Sequence, residues 1–230
     1  MSNDIINNKI SSIRSIRSFV CRRGHFTKGQ KYAINTYLPV MGLSYKRENI
    51  NLFNVFGSLA PINIEIGFGM GDSLVNMASM YTKQNFIGIE VHLPGIGACL
   101  AKANNAGLSN LRIIYHDAIE VLENMIPDNS LSRLQIFFPD PWPKKRHNKR
   151  RIIKPLFVNL VQSKLCVGGI FHIATDWKPY ANYILEVMNA ARNLHNYNGN
   201  LVSRTLTKYE KRGKKLGHCV FDLIFEKIFL

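Results

Sequence analysis

From Pro61 onward, short apolar runs alternate with amphipathic stretches along the chain. Residues 62–66 are a short apolar run of strand length, and a glycine-rich turn follows at 67–71. The spacing predicts a helix over 72–81, a second strand over 86–91, a helix over 97–106 and a third strand over 111–115. A short helix follows Asp117, and residues 134–138 form a fourth strand. Next come an amphipathic helix over 152–166, a fifth strand over 170–174 and a helix over 178–192. A basic loop at 207–217 leads to a final strand over 220–225. Strands alternating with helices predict an α/β fold with a parallel sheet and right-handed crossovers. In such sheets ligands sit beyond the carboxyl ends of the strands.

Before Pro61 the pattern is weaker. Residues 1–12 are polar, rich in Asn and Ser, and read as a disordered tail. Arg14, Arg17, Arg22, Arg23, Lys28 and Lys31 punctuate an irregular region reaching to about Leu43. The expected division is a basic, partly disordered N-terminal arm over 1–43 and a single domain over 44–230.

Charge changes the picture most. The net charge is +15 and the pI about 9.8, which favours a polyanionic partner. The cations are clustered: nine Lys and Arg in residues 1–47, seven in 144–154 and five in 208–215. Most of the carboxylates lie between Glu48 and Asp140. Three basic clusters around a more acidic centre describe a binding surface around a pocket. Cys21, Cys99, Cys166 and Cys219 are far apart, with no metal-ligand spacing. Free thiols and the absence of a secretory signal point to the cytoplasm, and no metal is expected. No apolar run approaches the roughly 20 residues that span a bilayer, so no membrane role is expected. The pattern is equally compatible with a monomer and a homodimer.

Three acids stand at three successive strand ends. Glu65 precedes the turn Gly67-Phe68-Gly69-Met70-Gly71, whose glycines let a ligand approach the backbone. That spacing is not the Gly-x-Gly-x-x-Gly of dinucleotide enzymes. A carboxylate two places before the first glycine suits a cationic amino-acid group. Glu90 ends the second strand, placed to accept ribose hydroxyls. Asp117 ends the third, where it meets an adenine amino group or simply caps the next helix. Together they describe an adenosyl ligand with a positive end and no phosphate: S-adenosyl-L-methionine.

The fourth strand runs into Pro139-Asp140-Pro141-Trp142-Pro143 and then Lys144-Lys145-Arg146-His147-Asn148-Lys149-Arg150-Arg151. Prolines stiffen this backbone and present Asp140 in a fixed geometry. Trp142 either stacks on a base or buttresses the turn, and the flanking prolines favour the buttress. The cationic run suits a polyphosphate. Asp176 ends the fifth strand beside Trp177, where it reads a guanine edge or caps the next helix.

At this point the chain resembles the bacterial tRNA (guanine-N7-)-methyltransferases. The resemblance rests on residues 139–147, on Thr175-Asp176-Trp177, on residues 207–213 and on residues 14–42. It runs from about residue 13 to the C-terminus. It implies a Rossmann-like class I methyltransferase fold, with a mostly parallel seven-stranded sheet, helices on both faces and a basic N-terminal arm. It implies that Glu65, Glu90, Asp117 and Asp140 contact or border the cofactor, beside Gly67, Gly69 and Gly71. It implies that Lys144, Asp176, Thr207, Lys208, Tyr209 and Glu210 meet the substrate. It also implies that Arg146, His147, Asn148, Lys149, Arg150 and Arg151 contact RNA. The target it implies is guanine 46 of the tRNA variable loop.

Guanine N7 carries a lone pair and no proton, so no base is needed to uncover it. Asp140 is then expected to align the purine and oppose its developing positive charge. Three other readings remain at this stage: a methyltransferase for an exocyclic amine, a non-enzymatic RNA-binding protein, and a nicotinamide-dependent oxidoreductase. The glycine spacing disfavours the last.

Overall fold

The computed structural model describes residues 17–19, 25–197, 199, 210 and 219–229. Its seven-stranded sheet has the order β3-β2-β1-β4-β5-β7-β6, with β1 at Ile62–Ile66, β2 at Asn85–Glu90, β3 at Leu111–Tyr115 and β4 at Leu131–Phe137. β5 is Leu165–Thr175, β6 is Leu194–Asn196 and β7 is Phe221–Lys227. The first five strands are parallel; β7 runs antiparallel to β5 and β6 antiparallel to β7. The strand order reverses between β1 and β4, so a crevice opens there at the carboxyl edge of the sheet.

Strand alternation sorts the core onto two faces. Ile62, Ile64 and Ile66 of β1 join Leu134 and Ile136 of β4 in one apolar cluster. That cluster packs against α5 (Ala118–Asn124), α6 (Pro155–Lys164) and α7 (Lys178–Asn189). The other cluster is built from α1 (Lys28–Met41), α3 (Asp72–Met80) and α4 (Leu93–Asn105). A short helix, α2 (Leu52–Phe56), was not anticipated from the sequence; nor was β6.

The irregular region expected to reach Leu43 contains a 14-residue helix instead. Thr27 Oγ1 accepts from the Gln30 N–H at 3.2 Å, and Gln30 Oε1 accepts from the Thr27 N–H at 2.9 Å. This capping box starts α1, and Ala33, Ile34, Tyr37, Leu38 and Met41 give it a buried stripe. The helix packs on α4 at Gly97, where a β-carbon would stand 2.6 Å from the Gln30 carbonyl oxygen. The chain then joins β3, with the Leu43 N–H donating to the Ile113 carbonyl at 2.8 Å.

Other boundaries moved for identifiable reasons. α4 starts at Leu93 rather than Gly97, because Pro94 suits a first turn. α6 starts at Pro155 rather than Ile152 for the same reason, and yields to β5 at Leu165. Glycines at 168 and 169 hid the first half of that strand, since they weaken a strand pattern.

Gly97→Ala is expected to lift α1 from α4 at a cost of about 1–3 kcal/mol. Thermal unfolding and hydrogen exchange check this. The melting temperature falls, and amides of α1 exchange faster while those of β4 and β5 keep their protection.

Candidate active site

A cleft of about 410 Å³ lies at the switch point. Gly67, Glu90, His92, His116 and Ala118 line it on one side, and Phe137, Phe138 and Asp140 on the other. Ser18 and Phe19, from far upstream, close part of its mouth.

The glycine turn after β1 has left-handed backbone at Gly67, Gly69 and Gly71, with φ of 71°, 56° and 75°. A β-carbon on Gly67 or Gly69 would meet nothing within 4 Å, so bare backbone faces open space there. At Gly71 it would strike Cys99 Sγ at 2.5 Å, so the third glycine serves packing. Lys102 Nζ anchors the turn from α4, donating to the Met70 carbonyl at 2.7 Å and to Asp72 Oδ1 at 2.6 Å.

Glu90 ties this turn to the end of β2. Its Oε2 accepts from the Gly69 N–H at 3.0 Å; its Oε1 accepts from the Val91 and His92 N–H groups at 2.6 and 2.9 Å. A carboxylate offers about four acceptor sites, so roughly one remains for a ligand hydroxyl. Open backbone and a fixed acceptor in one cleft fit the adenosyl ligand expected from the sequence.

Glu65 is buried on the α3 face, where its Oε2 accepts from Gln135 Nε2 at 2.8 Å. In register with Gly88, it stands on the same side of the sheet as Glu90, two residues before the glycine turn. Its carboxylate reaches Cys99 electrostatically: burial first, then Glu65, push that thiol up to about 12.

Asp117 caps α5, its Oδ1 accepting from the Ile119 N–H at 2.9 Å. It lines an adjoining cavity of about 380 Å³ with Arg17, Tyr45 and Arg47. Its neighbour His116, which the sequence reading did not single out, faces the main cleft. The His116 ring stacks on Tyr45 at 3.7 Å and its Nε2 lies 2.5 Å from Glu120 Oε2. The histidine at a strand end was visible in the sequence, but Tyr45 is too remote to announce the stack.

Asp140 stands exposed on the cleft rim, between two strained residues. Phe138 and Trp142 have φ of 52° and 44°, conformations that cost a side-chain-bearing residue about 1–3 kcal/mol each. The loop is held nonetheless. The Phe138 N–H donates to the Ala174 carbonyl at 2.7 Å. Trp142 Nε1 donates to the Ser18 carbonyl at 3.3 Å, and the Arg150 guanidinium lies 4.8 Å over the indole. Trp142 thus buttresses the turn.

Residues Lys145–Arg150 form a 3-10 turn. Lys144, Lys145, Arg146 and Lys149 are exposed; His147, Asn148 and Arg150 are half-buried. Lost hydration and the cations Arg146, Arg150, Lys144 and Lys149 hold the His147 imidazole below its ordinary range. Arg151 departs from the expectation that the whole run faces RNA. It is buried at 6% exposure, because aromatic rings and a carbonyl group satisfy its guanidinium inside the fold.

Asp176 follows the end of β5, but the cap position of α7 belongs to Trp177. Glu210 is buried. Thr207, Lys208 and Tyr209 lie outside the described residues. Among the described residues no group of acids, histidines and cysteines could hold a metal ion, and no helix is long and apolar enough to cross a membrane.

Residues 59–223 match a family model described as a putative methyltransferase. A tRNA (guanine-N(7)-)-methyltransferase of Yersinia pestis (strain Pestoides F) is 56% identical over 237 residues, covering 99% of each chain. A protein of the same name from Sodalis glossinidius (strain morsitans) is also 56% identical, again covering 99% of each chain. In fold, the chain is similar to the 16S rRNA methyltransferase KamB, with a TM-score of 0.57 at 13% identity. That likeness covers 76% of this chain and 92% of KamB.

Glu90→Gln places an amide where three backbone N–H groups point. It should destabilise the ligand-free protein by about 1–3 kcal/mol, measured by urea unfolding. Cys99, with its thiol held near pH 12, should resist thiol reagents at pH 8 in the native protein, whereas exposed Cys219 reacts. Mass spectrometry of the labelled protein distinguishes the two.

Proposed function

We propose that this chain, which belongs to the tRNA (guanine-N(7)-)-methyltransferase family, methylates N7 of guanine 46 in the tRNA variable loop. The methyl donor is S-adenosyl-L-methionine, and the product is N7-methylguanosine. The observation that carries this reading is the single cleft in which bare Gly67 backbone, the Glu90 carboxylate and Asp140 converge.

When bound, S-adenosyl-L-methionine supplies an electrophilic sulfonium methyl group. Gly67 and Gly69 give its amino-acid part close access to backbone, and Glu90 accepts from a ribose hydroxyl. Asp117 caps its helix with one oxygen, and in this reading the other meets the adenine amino group. Glu65, two residues before the turn, acts on the site through its charge.

On the substrate side, Asp140 holds the donor edge of guanine. No proton needs removing from N7; the new N–C bond would form as the methyl–sulfur bond breaks, the electron pair leaving with S-adenosyl-L-homocysteine and the positive charge passing to the base. A fixed carboxylate beside the purine opposes that charge, which is catalysis by alignment and preorganised field. Asp176 supplies a second contact to the base. Lys144, Lys145, Arg146 and Lys149, all exposed, meet the RNA backbone. Thr207, Lys208, Tyr209 and Glu210 complete the substrate side in this reading. Such an enzyme works where tRNA matures, in the cytoplasm.

The test is methyl transfer from labelled S-adenosyl-L-methionine to unmodified tRNA, with borohydride–aniline cleavage mapping N7-methylguanine. Cleavage at guanine 46 is expected, with the rate reduced about 10²–10³-fold by Asp140→Ala. Methylation without cleavage would instead favour an exocyclic-amine acceptor. Tight tRNA binding without methylation would leave only an RNA-binding protein.

A further inference from the structure

Arg151 is the last arginine of the cationic segment, and its backbone N–H closes the 3-10 turn by donating to the Asn148 carbonyl at 3.0 Å. Its side chain turns inward. Nε donates to the Pro141 carbonyl at 2.9 Å. The guanidinium carbon lies 4.8 Å from the ring centre of Tyr183, 5.1 Å from Tyr180 and 5.7 Å from Trp177. Each ring offers its π-face to the cation.

These partners have a shared position in the site. Pro141 follows Asp140 and Trp177 follows Asp176. Tyr180 and Tyr183 lie on α7, the helix that backs both loops. One buried side chain therefore touches the loop carrying the first acid, the loop carrying the second, and the element behind them. A phosphate ligand would have to pull the guanidinium out of its aromatic box and strand the Pro141 carbonyl. Lysine could not replace it, having neither the planar fork nor the stacking surface.

We propose that Arg151 is a positioning residue: it fixes Asp140 and Asp176 relative to one another and takes no part in binding RNA phosphate. The inference rests on the reading of those two acids as the groups that hold guanine. Asp140 sits between two left-handed residues, so its loop needs an external tie, and the Arg151–Pro141 hydrogen bond supplies one three residues past the strained Phe138. The exposed members of the run bind RNA, and its buried end aligns the acids.

The experiment compares wild type with Arg151→Lys, Arg151→Met and Tyr183→Leu. Single-turnover methyl transfer to prebound tRNA, tRNA affinity against salt, and thermal unfolding are measured, with rates taken well below every melting temperature. Both Arg151 variants should lose about 10–100-fold in single-turnover rate, the penalty of a small misplacement. They should keep the wild-type affinity for tRNA and the wild-type slope of log affinity against log salt. Arg146→Ala, by contrast, should lower that slope by about one. Tyr183→Leu should slow the reaction in the same direction as the Arg151 variants, and by less.

A reduced salt slope with an intact single-turnover rate for the Arg151 variants would make Arg151 a phosphate contact and overturn the proposal. Wild-type rate and slope together, in folded variants, would leave it a core residue only, which overturns it too. If both Arg151 variants fail to fold, Tyr183→Leu decides: an unchanged rate counts against the proposal. A wild-type protein that transfers no methyl group to tRNA would overturn the underlying reading, and this assignment with it.

Discussion

One carboxylate organises the glycine-turn side of the cleft. Glu90 receives three backbone N–H groups, one from the glycine turn after β1 and two from the chain leaving β2. Hydrogen bonds to an ionised acceptor are among the stronger ones in proteins. Phe68 packs from the glycine turn into the core, while the glycines on either side of it leave bare backbone. Glu90 on one side and Lys102 on the other keep it in place, and the open face above Gly67 and Gly69 follows. The parallel sheet contributes the rest. Because its strands run the same way, their acids gather at one edge, and the reversal between β1 and β4 parts the loops there.

The opposite rim of the cleft, around Asp140, is organised differently, by strain and its restraint. Phe138 and Trp142 adopt backbone conformations that side-chain-bearing residues avoid. Asp140 is displayed between them. Ala174, Ser18, Arg150 and Arg151 hold this loop from four directions. Such an arrangement suits a reaction in which the nucleophile needs no deprotonation. The demand is a carboxylate that does not move while positive charge grows beside it.

Much of this was legible in the sequence. Apolar runs marked β1 through β5, because a parallel strand buried on both faces reads as a continuous apolar stretch. Of the acids read at strand ends, Glu90 and Asp140 line the cleft and Asp117 the adjoining cavity. Other features were hidden. α1 was masked by its neighbours: four arginines before it suggested an irregular arm, although Thr27 and Gln30 carried a capping box. Arg151 was grouped with the RNA-facing cations because nothing in a run of charges tells which member turns inward. Its aromatic partners lie 26 to 32 positions downstream, and only the packing of α7 reveals them. Glu65 reads as a cofactor residue from its place before the glycines; its burial and its hydrogen bond from Gln135, 70 positions downstream, are not visible there.

In the proposed reading, the cofactor half of the site is formed before tRNA arrives. The deciding experiment is calorimetric titration of S-adenosyl-L-homocysteine into the tRNA-free protein, with hydrogen exchange on the same samples. Saturable one-to-one binding is expected, with new protection at the amides of Gly69, Val91 and His92. Binding that appears only once tRNA is added, or protection confined to other segments, would contradict it.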